Sequence, residues 1–163
     1  MAKSKYQLEF ERLFSSELER HRELVTDALK VLLATEVPSD VKILLLECHS
    51  YWYAFPVSVF ALDEKGEDEV YFKKPFSTRL VAKERKLIRE RVITPDQLDQ
   101  FEDKKVDTFK TAHIMIADWI ASIWEENGGD KYPIAAYITA HDSPRYLDLR
   151  TREWVRKMKS FAS

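Results

Sequence analysis

Residues Glu47, Cys48 and His49 place a carboxyl, the only thiol of the chain and an imidazole side by side, directly after the apolar run from Val41 to Leu46. Two chemistries would use them. A Glu and a His on one face make a general base whose imidazole is oriented by the carboxylate, and Cys48 with a histidine from elsewhere makes a nucleophile. In an extended strand the side-chain period is two, so Glu47 and His49 share a face and Cys48 points to the other. The competing expectation is that Cys48 continues the buried face of Leu44 and Leu46, while Glu47 and His49 end the strand in water.

A second candidate is His141-Asp142, which follows the apolar segment Tyr132 to Ala140. Loops at strand ends favour functional side chains, and Arg145 close by offers a clamp for an anion. Set against this, Asp142-Ser143-Pro144 is ordinary turn composition. The two helical histidines, His21 and His113, stand in no HxxxH or ExxH spacing, so no metal site is expected from them. With only 3 Gly and no GxGxxG or GxxxxGK pattern, phosphate-cradling loops and dinucleotide chemistry are excluded, and no cofactor is expected.

The elements that must position these groups follow from periodicity. Apolar residues recur at three and four from Lys5 to about Thr35, with one gap at His21, which predicts an amphipathic helix stopped by Val37-Pro38. Val41 to Glu47 reads as a buried strand. Tyr51 to Asp63, containing Pro56, and Asp68 to Lys73 read as a hairpin around Glu64-Lys65-Gly66-Glu67. Ser77 to Val92 predicts a second, basic helix carrying Lys83, Lys86 and Arg89. Thr94-Pro95-Asp96-Gln97 matches a capping box and opens a long helix that Asn127-Gly128-Gly129 ends. Tyr132 to Ala140 reads as a strand. Arg145 to Arg150 fits either a short returning strand or the terminal helix expected through Trp154, Val155, Met158 and Phe161.

The expected fold class is therefore α+β: one globular domain over 1–163, with a small, mainly antiparallel sheet of about four strands packed against two long helices and shorter ones. The chain of 163 residues is 45% hydrophobic and 33% charged, enough for a substantial core. Its formal net charge of -2 exerts no overall pull toward nucleic acid or anionic membrane. Charge is nonetheless uneven: Lys73 to Arg91 holds eight basic residues against Glu84 and Glu90, and Pro144 to Ser163 holds six against Asp148 and Glu153. One cysteine and no continuous apolar signal core suggest a reducing, cytoplasmic home, and no apolar run approaches the ~20 residues that span a bilayer.

The β region is rich in aromatic residues, and a sheet covered on one side would expose some of them on the other, as a protein-binding surface does. The first functional expectation is a soluble binding or regulatory protein without catalysis, acting through a protein partner, with a second copy of the chain also admissible. Trp52, Tyr53, Lys83, Lys86, Arg89 and Arg145 are its candidate binding residues. The alternative is a hydrolase or transferase using Glu47, Cys48 or His49 with His141 and Asp142. A third is a nucleic-acid-binding module acting through the basic helix.

Overall fold

The computed structural model describes residues 2–51 and 53–161. Ser4 caps the first helix by accepting the Gln7 N–H at 3.1 Å, and α1 runs Lys5–Glu19. The single helix expected to reach Thr35 breaks at Arg20 and His21, and α2 follows as Arg22–Ala34. The gap in the apolar stripe at His21 marks that break. There the His21 N–H turns back to the Leu18 carbonyl at 2.9 Å. Phe10, Phe14 and Leu18 of α1 and Val25, Leu29 and Leu32 of α2 all remain in the core.

The strands are β1 (Ile43–Cys48), β2 (Val57–Leu62), β3 (Glu69–Tyr71), β4 (Thr78–Val81), β5 (Ala135–Ala140), β6 (Tyr146–Asp148) and β7 (Trp154–Val155). They form one open sheet in the order β3-β2-β1-β5-β6-β7, with β4 also pairing β2. The α+β class is as expected, but the sheet has seven strands where about four were anticipated. All pairings are antiparallel except β1 with β5, which sets Glu47 beside Thr139 and Cys48 beside Ala140.

Two expected helices are absent, and a strand takes part of each segment instead. Thr78 and Val81 pair with β2 as β4, and the rest of the basic segment is irregular, with Leu87 and Ile88 buried. Near the C-terminus, the Asp148 carboxylate accepts the N–H groups of Arg150 and Thr151 at 2.8 and 3.1 Å, and Arg152 turns at φ 63°. That turn folds Trp154 and Val155 back on β6 as β7. β6 settles the ambiguous Arg145 to Arg150 segment in favour of a strand.

The capping box at Thr94 forms as expected: Thr94 Oγ1 accepts the Gln97 N–H at 3.2 Å, and Gln97 Oε1 accepts the Thr94 N–H at 2.9 Å. It opens α3 (Pro95–Asp103), which stops where Lys105 adopts φ 64°. Asp107 then caps α4 (Thr108–Glu126) by accepting the Lys110 N–H at 3.0 Å. The expected continuous helix is thus two. Ile116, Ile120, Ile123 and Trp124 of α4 are buried, and α4 packs against both α1 and α2. Gly129 follows it because an added Cβ would meet the Trp124 ring at 2.2 Å.

The helices cover one face of the sheet, where Leu44, Leu46 and Cys48 join the main core. The opposite face, expected to be bare, carries its own small cluster of Ile43, Leu62, Ala135, Tyr137 and Met158. The C-terminal segment straps onto it: the Tyr137 hydroxyl donates to the Lys159 carbonyl at 2.9 Å and accepts the Lys159 N–H at 3.0 Å. Alternation along β1 continues this face through Leu45 to Glu47 and His49. No helix among the described residues is long and apolar enough to cross a membrane.

Candidate functional site

The parallel pair β1 and β5 brings two strand ends together, and both carry ionisable residues. Backbone bonds fix them: the His141 N–H donates to the Cys48 carbonyl at 2.8 Å, and the His49 N–H donates to the Pro56 carbonyl at 2.9 Å. Because β1 alternates, Glu47 and His49 lie on one face, and the parallel register adds His141 from the neighbouring strand end. Glu47 Oε1 lies 3.0 Å from His49 Nε2 and 3.0 Å from His141 Nδ1. The two imidazoles stack with centroids 4.4 Å apart. One carboxylate oxygen thus serves two rings.

His141 is half exposed (52% of its side chain) and Glu47 and His49 are half-buried, so the cluster is open to solvent from the His141 side. The hydrogen bond with Glu47 raises the His141 pKa against an opposing desolvation effect, and the charges of Asp142 and Glu47 add to the rise. Asp142 Oδ2 lies 3.5 Å from His141 Nε2. Asp142 itself sits at φ 62° in the turn after β5, where the Ser143 N–H donates to the Ala140 carbonyl at 2.9 Å and Thr139 Oγ1 donates to the Arg145 carbonyl at 2.7 Å. The turn chemistry anticipated at Asp142-Ser143-Pro144 is therefore present together with the approach of His141 to Glu47.

Cys48 is the member of the trio that the fold removes. Its side chain lies in the helix-side core at 2% exposure, and desolvation, aided by the Glu47 charge, pushes the thiol up to about 12. A thiol held protonated is no nucleophile. Its expectation as a catalytic candidate is corrected, and the strand alternation that separated it from Glu47 and His49 is the physical reason.

A groove of about 490 Å³ runs from His141 between the first half of α4 and the β5–β6 turn. Lys110, His113 and Ile114 line one wall, and Pro144, Arg145 and Trp154 another. The Arg145 guanidinium stands 5.9 Å from the centroid of the Trp154 ring. His113 packs edge-on against Phe55, and desolvation, with the charge of His49, lowers its pKa. Sequence reasoning set His113 aside as a helix histidine and passed over Lys110. The signal available was their spacing, since positions 110, 113 and 114 fall on one helical face.

The other expected binding residues that the structure describes do not gather there. Tyr53 is 5% exposed, at φ 60°, so it is core and not a surface ring. Trp52 lies outside the described residues. Lys83 sits over the Tyr51 ring at 4.1 Å, Lys86 pairs with Glu90 at 2.8 Å, and Arg89 binds the buried Glu17 carboxylate at 2.8 Å. Arg89 is thus a structural anchor, and the basic helix on which nucleic-acid binding was premised does not form. Among the described residues anticipated to bind, Arg145 alone lines the groove.

The expectation of no metal site rested on helical spacings. Strands supply a different set: the ligand-capable atoms of Glu47, His49 and His141 all lie within 4.8 Å of one another. Comparison of the chain with protein-family models, curated proteins and solved structures finds no match.

Proposed function

We propose that the protein is an enzyme of the hydrolase or transferase type that acts on a small anionic substrate in the groove beside His141. The carrying observation is the convergence of Glu47, His49 and His141 at the carboxyl ends of the parallel strands, the place where open sheets with parallel pairs take their ligands. Lys110 and Arg145 flank the anion, and Ile114, Pro144 and Trp154 receive its apolar part. With Cys48 withdrawn into the core, the attacking atom comes from a water or from the hydroxyl of a second substrate. In hydrolysis the water oxygen bonds to the phosphorus or carbonyl carbon, the ester bond breaks, and a proton from that water ends on the leaving oxygen. A reducing, cytoplasmic setting suits the single buried thiol.

Calorimetric titration with phenyl phosphate, benzoate and neutral benzyl alcohol tests the binding half. The two anions are expected to bind and the alcohol not, with Arg145→Glu and Lys110→Glu abolishing the difference. Turnover of p-nitrophenyl phosphate, lost in Glu47→Gln, tests the chemistry. Equal binding of the neutral ligand, or no binding with no turnover, would sink this reading.

A second reading, a non-catalytic protein acting through a partner, keeps one specific observation. Phe72, immediately after the edge strand β3, is 70% exposed. An edge with unpaired backbone groups and an exposed ring accepts a further strand, including that of a second copy. Sedimentation across concentration, comparing wild type with Phe72→Lys, decides it: self-association that the substitution abolishes supports the reading, and a monomer throughout removes the second copy from it.

A further inference from the structure

We infer that Glu47, His49 and His141 form a binding site for one divalent first-row transition ion of the zinc class. This rests on the reading of the same cluster as the reactive end of the groove, and it names what would activate the attacking water there. The three donor atoms are Glu47 Oε1, His49 Nε2 and His141 Nδ1, and the carboxylate oxygen is already 3.0 Å from each nitrogen. Around a tetrahedral ion with bonds of 2.0 to 2.2 Å, neighbouring donors stand about 3.3 to 3.6 Å apart. Those two edges therefore need to open by only a few tenths of an ångström. The third edge, between the two nitrogens, is at most 4.8 Å and would have to shorten on binding.

The donor chemistry selects the class. Two imidazoles disfavour the hard cations calcium and magnesium, which take oxygen ligands, and the absence of thiolate from the set, Cys48 facing the other side of the sheet, disfavours a soft structural site. Two imidazoles and a carboxylate supply three of four positions, which is the composition of catalytic sites that keep one position for water. The frame is rigid: both histidines are held through backbone bonds across strand ends, and Asp142 faces the other nitrogen of the His141 ring at 3.5 Å, as outer-shell carboxylates do. The open side, at the half-exposed His141, is also where the groove begins. Lys110 and Arg145 would then hold the anion next to the activated water.

The test is a titration of the untagged protein with Co²⁺, followed by its visible ligand-field absorption, and with Zn²⁺ in competition with a chromophoric chelator. One ion per chain is expected. Since loss of an outer-shell partner already costs 10- to 100-fold in affinity, loss of a ligand should cost about 100-fold or more. His49→Ala and His141→Ala should each show it, and His21→Ala, on the far helix junction, should leave affinity unchanged. His141 is exposed at a turn, so its variant keeps the fold, which circular dichroism verifies even where His49→Ala does not. Lack of saturable one-to-one binding, or binding that survives the double substitution, overturns the site and leaves Glu47 as a hydrogen-bond acceptor for two rings. The titration needs no substrate, so failure of anion binding leaves a positive result standing. Turnover that persists in chelator would remove the ion while leaving the hydrolytic reading intact.

Discussion

Glu17 and Arg89, 72 residues apart in the chain, are joined by both the side chain and the backbone of the arginine: Arg89 Nη2 donates to Oε1 at 2.8 Å and the Arg89 N–H donates to Oε2 at 2.9 Å. Arg20 adds a contact at 3.2 Å. The carboxylate, 1% exposed, pins the irregular segment after β4 to the end of α1. In Glu17→Gln the charge-assisted bonds are lost, and stability should fall by roughly 1.5 to 3 kcal/mol. Urea denaturation with an unchanged slope would register this as a lower midpoint.

The same pair sets an acid limit. Burial alone would raise the Glu17 pKa, but the bonds from the Arg89 side chain and backbone, with the charges of Arg89 and Arg20, outweigh it and hold the group below its ordinary value. A folded pKa below the unfolded one, about 4.3, means stability that is complete above that value and lost as pH falls through the lower folded value. In Arg89→Met the side-chain bonds and charge are lost while the Arg89 N–H and Arg20 still favour the carboxylate, so the Glu17 pKa should rise toward its unfolded value and the variant should lose less stability than wild type on acidification. Thermal melting of both proteins across this pH range checks it, and parallel profiles would refute the assignment.

Cys48 should resist thiol reagents in the native state. With its pKa pushed up to about 12 and its side chain in the core, almost no accessible thiolate exists near neutral pH. Labelling should follow the rate of unfolding and accelerate with denaturant. Fast labelling of native protein would contradict the burial described here.

Gly129→Ala should destabilise the protein by about 1 to 3 kcal/mol, because its new methyl meets the Trp124 ring in a packed environment. Gly128, at φ 88° with open space around it, should be sensitive for a different reason, its backbone conformation. A fall in tryptophan environment signals only for the Gly129 variant would separate the two.

Much of the fold could be read from residue patterns, and the misreadings share a cause. The capping box at Thr94, the hairpin between β2 and β3 and the strand β5 followed from local chemistry alone. The segment 77–92 did not, because its helical periodicity was real but weaker than the pairing of Thr78 and Val81 with β2, a partner about twenty positions away. Trp154 and Val155 were lost to a turn made by Asp148, whose carboxylate binds backbone two and three residues on. For the site, alternation placed Glu47 and His49 together and sent Cys48 away, which the structure bears out. The approach of His141 could not be seen, since it depends on β1 and β5 lying parallel, and nothing local encodes which strands are neighbours.

That parallel pairing has a consequence for how the molecule assembles. Ile43 meets Ala135 and Cys48 meets Ala140, so the contact closes a loop of roughly ninety residues, an entropy cost that folding meets only after local structure is in place. The hairpin of β2 and β3 and the capped helices α1, α3 and α4 all precede β5 in the chain and can form before it is made. Until β5 emerges, β1 has an unpaired hydrophobic edge, the kind of surface that makes a folding intermediate prone to aggregate. Glu47 and His49 therefore wait for His141, and the cluster cannot assemble until β5 has been made and has paired with β1.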